Sequence, residues 1–192
     1  MGLFSEKLAR KANDEFSAYS GVTETRSPLR ERIGQYWDYV QRPELDGGDS
    51  DVPWSAAFIS FMVYLAGAGS LFPYSAQHSV YFYRTINDKL TKRAKPFWGY
   101  RPEELTIAPG DILGMNRETA QPIDYHWAAY HADYASHSDI VVEVGKDGAV
   151  HTIGGNVANK VGKKTFVWDG TSLQNKRAPS QKVFVVIRSA LA

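Results

Sequence analysis

Three short segments of the sequence carry side chains that could together perform nucleophilic catalysis. Ser55 lies near the start of an apolar segment that predicts a buried helix, where backbone N–H groups and the helix dipole favour a nucleophile and a developing oxyanion. His137 precedes a predicted strand, and Asp139 lies two residues further on, so both side chains point to one face of an extended chain. Asn156 follows a pair of glycines. These residue types suit a nucleophile, a base and a polar group that orients the base.

The turn and strand signals bring the histidine close to the asparagine. Residues 139–144 and 149–153 are predicted strands, and an Asp-Gly turn joins them into a hairpin. His137 and Asn156 then lie at similar distances from the turn and are candidates for cross-strand neighbours. We therefore expect Ser55 to use His137 as its base, with either the asparagine or the nearby aspartate as the orienting group.

Four further residues are candidates for binding a substrate: Trp54, His78, Asp111 and Gly155. Trp54 could stack on a sugar or a peptide, although most aromatic side chains of this chain are expected in the core. Gly155 lets the backbone approach closely. The alternatives are a packed or capping histidine at position 78 and a turn residue at position 111. Ser55 itself could be a small helix residue bonded to a backbone carbonyl.

The histidines follow no recognised metal-binding spacing. Histidine and carboxylate suit zinc, but no His-Glu-x-x-His motif links the candidates His78, His126, His131, His137 and Asp139. The chain contains no cysteine, which excludes a thiolate metal site, a disulfide framework and a cysteine nucleophile. We expect no metal and no cofactor.

The elements that position these residues are predicted to be helices first and strands afterwards. The apolar periodicity predicts a helix that ends before Gly21, and further helices over about 28–42, 51–66 and 75–90. Residues 91–107 are predicted to be a surface connection, and about 116–136 a long loop. Strands are predicted near 112 and over 139–144, 149–153, 164–168 and 182–188. Helices followed by antiparallel strands indicate an α+β domain, with the buried helix of Ser55 packed on the sheet.

Length and charge narrow the classes of function. The 192 residues suit one domain, and 22 Lys and Arg against 21 Asp and Glu predict neither a nucleic-acid binder nor a membrane-surface binder. The apolar stretch over 56–68 is too short to span a membrane. The first residues lack the apolar core of a signal peptide.

Four segments resemble, in order, the motifs of NlpC-type and CHAP-type papain-like amidases. PWSAAF at 53–58 resembles their helix-start motif, in which the third position is cysteine, and PGDIL at 109–113 resembles their Pro-Gly-Asp strand. HSDIV at 137–141 resembles their His-x-x-Ile-Val strand, and GGN at 154–156 falls where their third polar residue lies. The same segments are closer still to an uncharacterised bacterial branch with serine in place of the cysteine. The resemblance covers about residues 30–190.

The resemblance implies a papain-like domain over 27–192, preceded by a helical extension over 1–26. It also implies hydrolysis of amide bonds in peptidoglycan peptides through an acyl-enzyme, with Ser55 as nucleophile, His137 as base, and Asn156 or Asp139 as orienter. A serine hydroxyl is too weak an acid to exist as an alkoxide, so the imidazole must remove its proton during attack.

Without a signal peptide, such an enzyme would reach the cell wall from the cytoplasm by a secretion machine or by phage lysis. A delivered antibacterial effector, a toxin, would have an immunity protein as partner. In either case we expect a monomer whose substrate is a peptidoglycan peptide. Two alternatives stay open: a catalytically silent module that binds wall peptides or a protein, and an acyl-ester hydrolase.

Overall fold

The protein, described from a computed structural model over residues 2–117 and 123–192, begins with helices. The four long helices agree with the predicted segments, although Ser55 is the first residue of its helix and does not lie a turn inside it. The helices are α1 (Leu3–Tyr19), α2 (Leu29–Tyr39), α3 (Ser55–Ala66), α4 (His78–Leu90) and the single turn α5 (Tyr125–Ala128). Residues 118–122 of the predicted long loop lie outside the described residues.

Seven strands follow, and every pairing between them is antiparallel. They are β1 (Phe97–Tyr100), β2 (Ile112–Asn116), β3 (Ser136–Val144), β4 (Val150–Gly154), β5 (Gly162–Trp168), β6 (Leu173–Asn175) and β7 (Ala178–Ser189). Two of them were not predicted: β1 lies in the segment expected to be a surface connection, where a 3-10 turn over Pro102–Glu104 also forms, and β6 has only three residues.

The strands close into a barrel, so the papain-like prediction of helices packed on an antiparallel sheet is wrong. Six strands follow one another in the order β7-β2-β3-β4-β5-β6, and β6 pairs back with β7. The closure is possible because β7 is long: its first half pairs with β6 through Gln174 and Lys182, and its second half pairs with β1 through Tyr100 and Val186. Sequence patterns missed this because neither β6 nor the early start of β7 has an apolar alternation of its own.

The barrel strands that lie under the helices have one side that faces the interior and one that faces the helices. The interior cluster includes Leu113, Met115, Val141, Val150 and Phe166. The cluster under the helices includes the alternate residues Ile112, Ile140, Ile153, Val185 and Ile187. Because side chains alternate along a strand, a residue's position in β3 decides which of these two environments it enters.

Helix α1 is joined to the rest of the helical layer by a buried ionic contact. Glu15, with 7% of its side chain exposed, accepts hydrogen bonds from Arg32 Nε at 2.5 Å and Nη2 at 2.9 Å, and from the Tyr36 hydroxyl at 2.5 Å. Among the described residues, no helix is long and apolar enough to cross a membrane.

We predict that Glu15→Gln lowers the free energy of unfolding by about 2 kcal/mol, because Arg32 then keeps its charge in a largely buried place without a carboxylate. Urea denaturation measures the change. The matched control is Asp14→Asn, which removes a neighbouring but exposed carboxylate of α1 and is expected to change stability by less than about 0.5 kcal/mol. Equal stability losses in the two variants would contradict the role given to the buried contact.

Candidate functional site

The N-termini of α3 and α4 meet at a serine–histidine pair. Ser55, the first residue of α3, has its Oγ 2.6 Å from Nε2 of His78, the first residue of α4. Residue 54 precedes α3 without a side-chain cap, and among the described residues no side chain accepts a hydrogen bond from the first-turn N–H groups beside the serine. The two side chains are buried, at 5% and 6% exposure.

A neutral network of two hydroxyl groups contacts the other ring nitrogen of His78. His78 Nδ1 lies 2.8 Å from Ser138 Oγ and also contacts the Tyr81 hydroxyl, and these two hydroxyls lie 2.7 Å apart. When Nδ1 carries the hydrogen and donates it to this network, Nε2 is the acceptor for the Ser55 hydroxyl. Burial, and after it the charge of His137, hold the pKa of His78 well below its ordinary value. The imidazole is therefore neutral at pH 7.

A second, charged cluster lies towards the barrel interior. The Asp139 carboxylate is fully buried and is contacted by His137 Nε2 at 3.0 Å, by Thr152 Oγ1 at 3.0 Å and by Lys164 Nζ at 3.2 Å. Burial alone would raise the pKa of Asp139, but the charges of Lys164 and His137 and their hydrogen bonds hold it below its ordinary value. Burial and the charge of Lys164 lower the pKa of His137.

Strand β3 joins the two clusters and also keeps them apart. His137 and Asp139 take the interior side, while Ser138 between them takes the side that faces the helices. The ring centroids of His78 and His137 are 5.4 Å apart. The structure thus pairs Ser55 with His78 and His137 with Asp139 in two neighbouring clusters. The hydrogen bond with the serine is made by His78 and not by His137, which the sequence predicted as its base.

The glycine pair at the end of β4 lets the backbone approach the charged cluster on one side and helix α3 on the other. A Cβ at Gly154 would collide with the Asp139 carboxylate, and one at Gly155 would lie 2.6 Å from Phe58. Asn156, with a left-handed φ of 55°, lines the same cavity as His137. Within the described residues no hydrogen bond links the asparagine to the imidazole, and of the two predicted partners of His137 it is Asp139 that contacts the ring.

Two of the predicted substrate-binding residues lie elsewhere. Trp54 is a core residue with 1% exposure, and its Nε1 donates to Glu24 Oε2 at 2.7 Å. The Asp111 carboxylate accepts two hydrogen bonds from Arg188, at 2.8 and 2.6 Å, which tie the start of β2 to β7. Both residues support the fold around the site.

The sequence reasoning did not find four residues of the two clusters: Tyr81, Ser138, Thr152 and Lys164. A signal existed for Tyr81, three residues after His78 on one helix face, and for Thr152, on the strand paired with β3. Lys164 lies on a third strand, so only the barrel register reveals it. The part of the chain that the structure describes contains no group of three His, Cys, Asp or Glu residues placed to hold a metal ion.

A large cavity gives access to the charged cluster. It has a volume of about 1360 Å³, and His137 and Lys164 are part of its wall. Among the described residues that form the wall, neither Ser55 nor His78 is included, so these two buried side chains lie outside the wall of this cavity.

Comparison with known proteins places this site within a recognised bacterial family. Residues 39–172 match a family described as an uncharacterized protein conserved in bacteria (DUF2272). The chain belongs to this family. The segment matched to DUF2272 contains Ser55, His78, His137, Asp139 and Lys164, and so both clusters. No curated protein and no solved structure matches the chain.

The lowered pKa values of the two histidines predict a specific pH dependence of stability. In the unfolded chain each imidazole takes up a proton near pH 6.5, whereas folding holds His78 and His137 neutral to lower pH. The free energy of unfolding should therefore fall as pH drops below about 6.5, with a slope of at most about 1.4 kcal/mol per pH unit for each histidine.

Denaturation between about pH 5 and 7.5 measures this slope. We expect His78→Gln to reduce the slope, whatever its effect on stability at pH 7.5. The control His126→Gln changes an exposed histidine and should leave the slope unchanged. An unchanged slope in His78→Gln would show that His78 is not held neutral by folding.

Proposed function

We propose that this protein is a serine hydrolase that cleaves amide bonds in bacterial peptidoglycan peptides. The observation that supports this most directly is the 2.6 Å contact between Ser55 Oγ and His78 Nε2 at the N-terminus of a buried helix. A hydroxyl in contact with a neutral imidazole, beside unused backbone N–H groups, has the parts that acyl transfer requires.

In the first half of the reaction, His78 acts as the base. The Ser55 hydroxyl gives its proton to Nε2 while Oγ bonds to the carbonyl carbon, and the electron pair of the C=O bond moves to the oxygen. First-turn N–H groups of α3 and the helix dipole stabilise this oxyanion. The imidazolium then returns the proton to the leaving nitrogen, and the C–N bond breaks to leave an acyl-serine.

In the second half of the reaction, water must reach the acyl-serine. Of the two histidines, His137 is the one that forms part of the cavity wall. Its Nε2–H donates to the Asp139 carboxylate, so Nδ1 of the neutral ring is an acceptor. We assign to this nitrogen the proton of the attacking water, whose oxygen bonds to the acyl carbon. The bond between that carbon and Ser55 Oγ then breaks, Oγ takes back a proton from the imidazolium, and the peptide leaves with a free carboxyl group. Asp139 holds the ring in place, in the role that the sequence had offered to Asn156 or Asp139.

The proposed substrate class, peptidoglycan peptides, rests on the four motifs that resemble NlpC-type and CHAP-type amidases. The papain-like sheet that this resemblance also implied is not part of the proposal. The proposal keeps what that resemblance implied: action at the cell wall after delivery by a secretion or lysis system, an immunity protein as partner of a delivered effector, and a monomer in solution.

The burial of Ser55 and His78 favours a second candidate, a catalytically silent module that binds wall peptides. A nucleophile with 5% exposure outside the cavity wall must become accessible before any substrate can reach it. Binding without turnover needs no such movement.

We predict that Ser55→Ala and His78→Gln each lower the rate of peptidoglycan hydrolysis by at least about 10³-fold, since either change removes the attacking unit. Purified peptidoglycan is incubated with each protein, and mass spectrometry of the released muropeptides gives the rate and the bond cleaved. Ser79→Ala is the matched control, because the described residues offer its buried hydroxyl no hydrogen-bond partner. This control should retain activity.

A separate comparison distinguishes the two histidines. His137→Gln keeps the Ser55–His78 pair and should slow release of the acyl group by about 10²-fold, so that an acyl-serine accumulates and intact-mass measurement detects it. If the acyl-serine accumulated in His78→Gln and not in His137→Gln, the roles assigned to the two histidines would have to be exchanged. Hydrolysis by Ser55→Ala at the rate of the unchanged protein would exclude the serine mechanism, and muropeptide binding without products from any variant would favour the silent module.

A further inference from the structure

The wall of the cavity beside His137 concentrates positive charge. The chain as a whole is nearly balanced, with a formal net charge of +1. Among the wall residues that the structure describes, Asp147 is the one acidic side chain. The basic wall residues are Arg117, Lys163, Lys164, Lys176 and Arg177. Such clustering in a concave surface raises the local concentration of anions.

Most of this charge is not neutralised by the protein. Lys164 is paired with the buried Asp139. Over the described ranges, by contrast, Lys163, Lys176 and Arg177 form no salt bridge. Lys163 lies with its Nζ 4.6 Å from the ring centre of Phe16, which orients the ammonium group without cancelling its charge.

The turn between β6 and β7 fixes the backbone of two of these basic residues. The backbone N–H of Lys176 donates to the carbonyl of Thr165 at 2.8 Å, and that of Arg177 donates to Asn175 Oδ1 at 3.0 Å. The amide of Asn175 in turn donates to Gln181 Oε1 at 2.7 Å. A preorganised backbone lowers the entropy that a bound ligand must offset.

We propose that this cavity binds a peptide with at least two free carboxylates, one on Lys176 and Arg177 and another on Lys163, and that the bound chain leads to His137. The inference deepens the proposed function, on which it rests, by naming the substrate as an anionic peptide.

The chemistry of the wall favours such a peptide over a nucleic acid strand. The wall residues that are described include no Trp or Tyr on which bases would stack, and the ring of Phe16 already has Lys163 over it. The wall does supply the amide of Asn156, which can both donate to and accept from a peptide backbone. Guanidinium and ammonium groups pair well with carboxylates.

Binding can be measured apart from catalysis in the Ser55→Ala protein. Fluorescence anisotropy of a labelled tetraglutamate peptide, a tetraglutamine peptide and a short polyphosphate of matched charge gives three dissociation constants. We expect the tetraglutamate to bind, more weakly at about 200 mM than at about 50 mM salt. The tetraglutamine should not bind, and the polyphosphate should bind more weakly than the tetraglutamate.

The decisive variants reverse charge inside and outside the cavity. Lys176→Glu with Arg177→Glu should weaken tetraglutamate binding by at least about tenfold. The control pair is Arg84→Glu with Lys92→Glu, exposed residues on and just after α4. It lowers the net charge equally and should change the dissociation constant less than about twofold. Thermal unfolding confirms that both double variants are folded.

The possible failures of the two proposals can be told apart. Equal binding of tetraglutamine, equal weakening in the control pair, or tighter binding of polyphosphate would each overturn the carboxylate site. Absence of tetraglutamate binding in a protein that still hydrolyses peptidoglycan would overturn this inference alone. Tetraglutamate binding that depends on Lys176 and Arg177, in a protein that hydrolyses nothing, would support the inference and count against the proposed function.

Discussion

The carboxylate of Asp139 has no contact with solvent, and its burial restricts how the surrounding strands can pair. Burying a charge is costly unless opposite charges and hydrogen bonds replace the lost water. The replacements come from three strands: His137 on β3, Thr152 on β4 and Lys164 on β5. They reach the same point only when the three strands pair in the observed register, and β4 fits because residue 154 has no Cβ to strike the carboxylate. The register of the barrel strands therefore brings the partners of Asp139 together, and these contacts in turn stabilise that register.

The same strand separates two chemical environments within a few ångströms. Towards the helices, Ser55 and His78 belong to a network of hydroxyls and one neutral imidazole. Towards the barrel interior, His137 belongs to a network with a carboxylate and an ammonium group. The alternation of β3 separates the partners of the two imidazoles, and so gives the two neighbouring histidines different surroundings.

The basic residues of this protein are also unevenly distributed over its surface. A chain whose acidic and basic residues nearly cancel still presents a basic cavity, because the β6–β7 turn and β5 bring distant cations to one wall. That wall borders the charged cluster and not the serine. Any substrate that enters through the cavity therefore meets His137 before Ser55.

The sequence by itself determined the elements with strong local signals. Apolar periodicity and glycine stops defined α1 and α3, and the Asp-Gly turn defined the hairpin of β3 and β4. The pairing of His137 with Asp139 could also be predicted, since residues two apart on a strand share a face. Ser55 could be singled out as a candidate from its place at the start of a buried helix.

Only the tertiary structure decided which histidine contacts Ser55 and how the strands close. His78 and Ser55 lie on different helices, and no local pattern fixes the angle at which two helix ends meet. β6 is too short to carry a periodic signal, and its pairing with β7 depends on barrel curvature that no single segment encodes. The contact between Lys164 and Asp139 spans the β3–β4 and β4–β5 pairings, so it forms only when the register of all three strands is set.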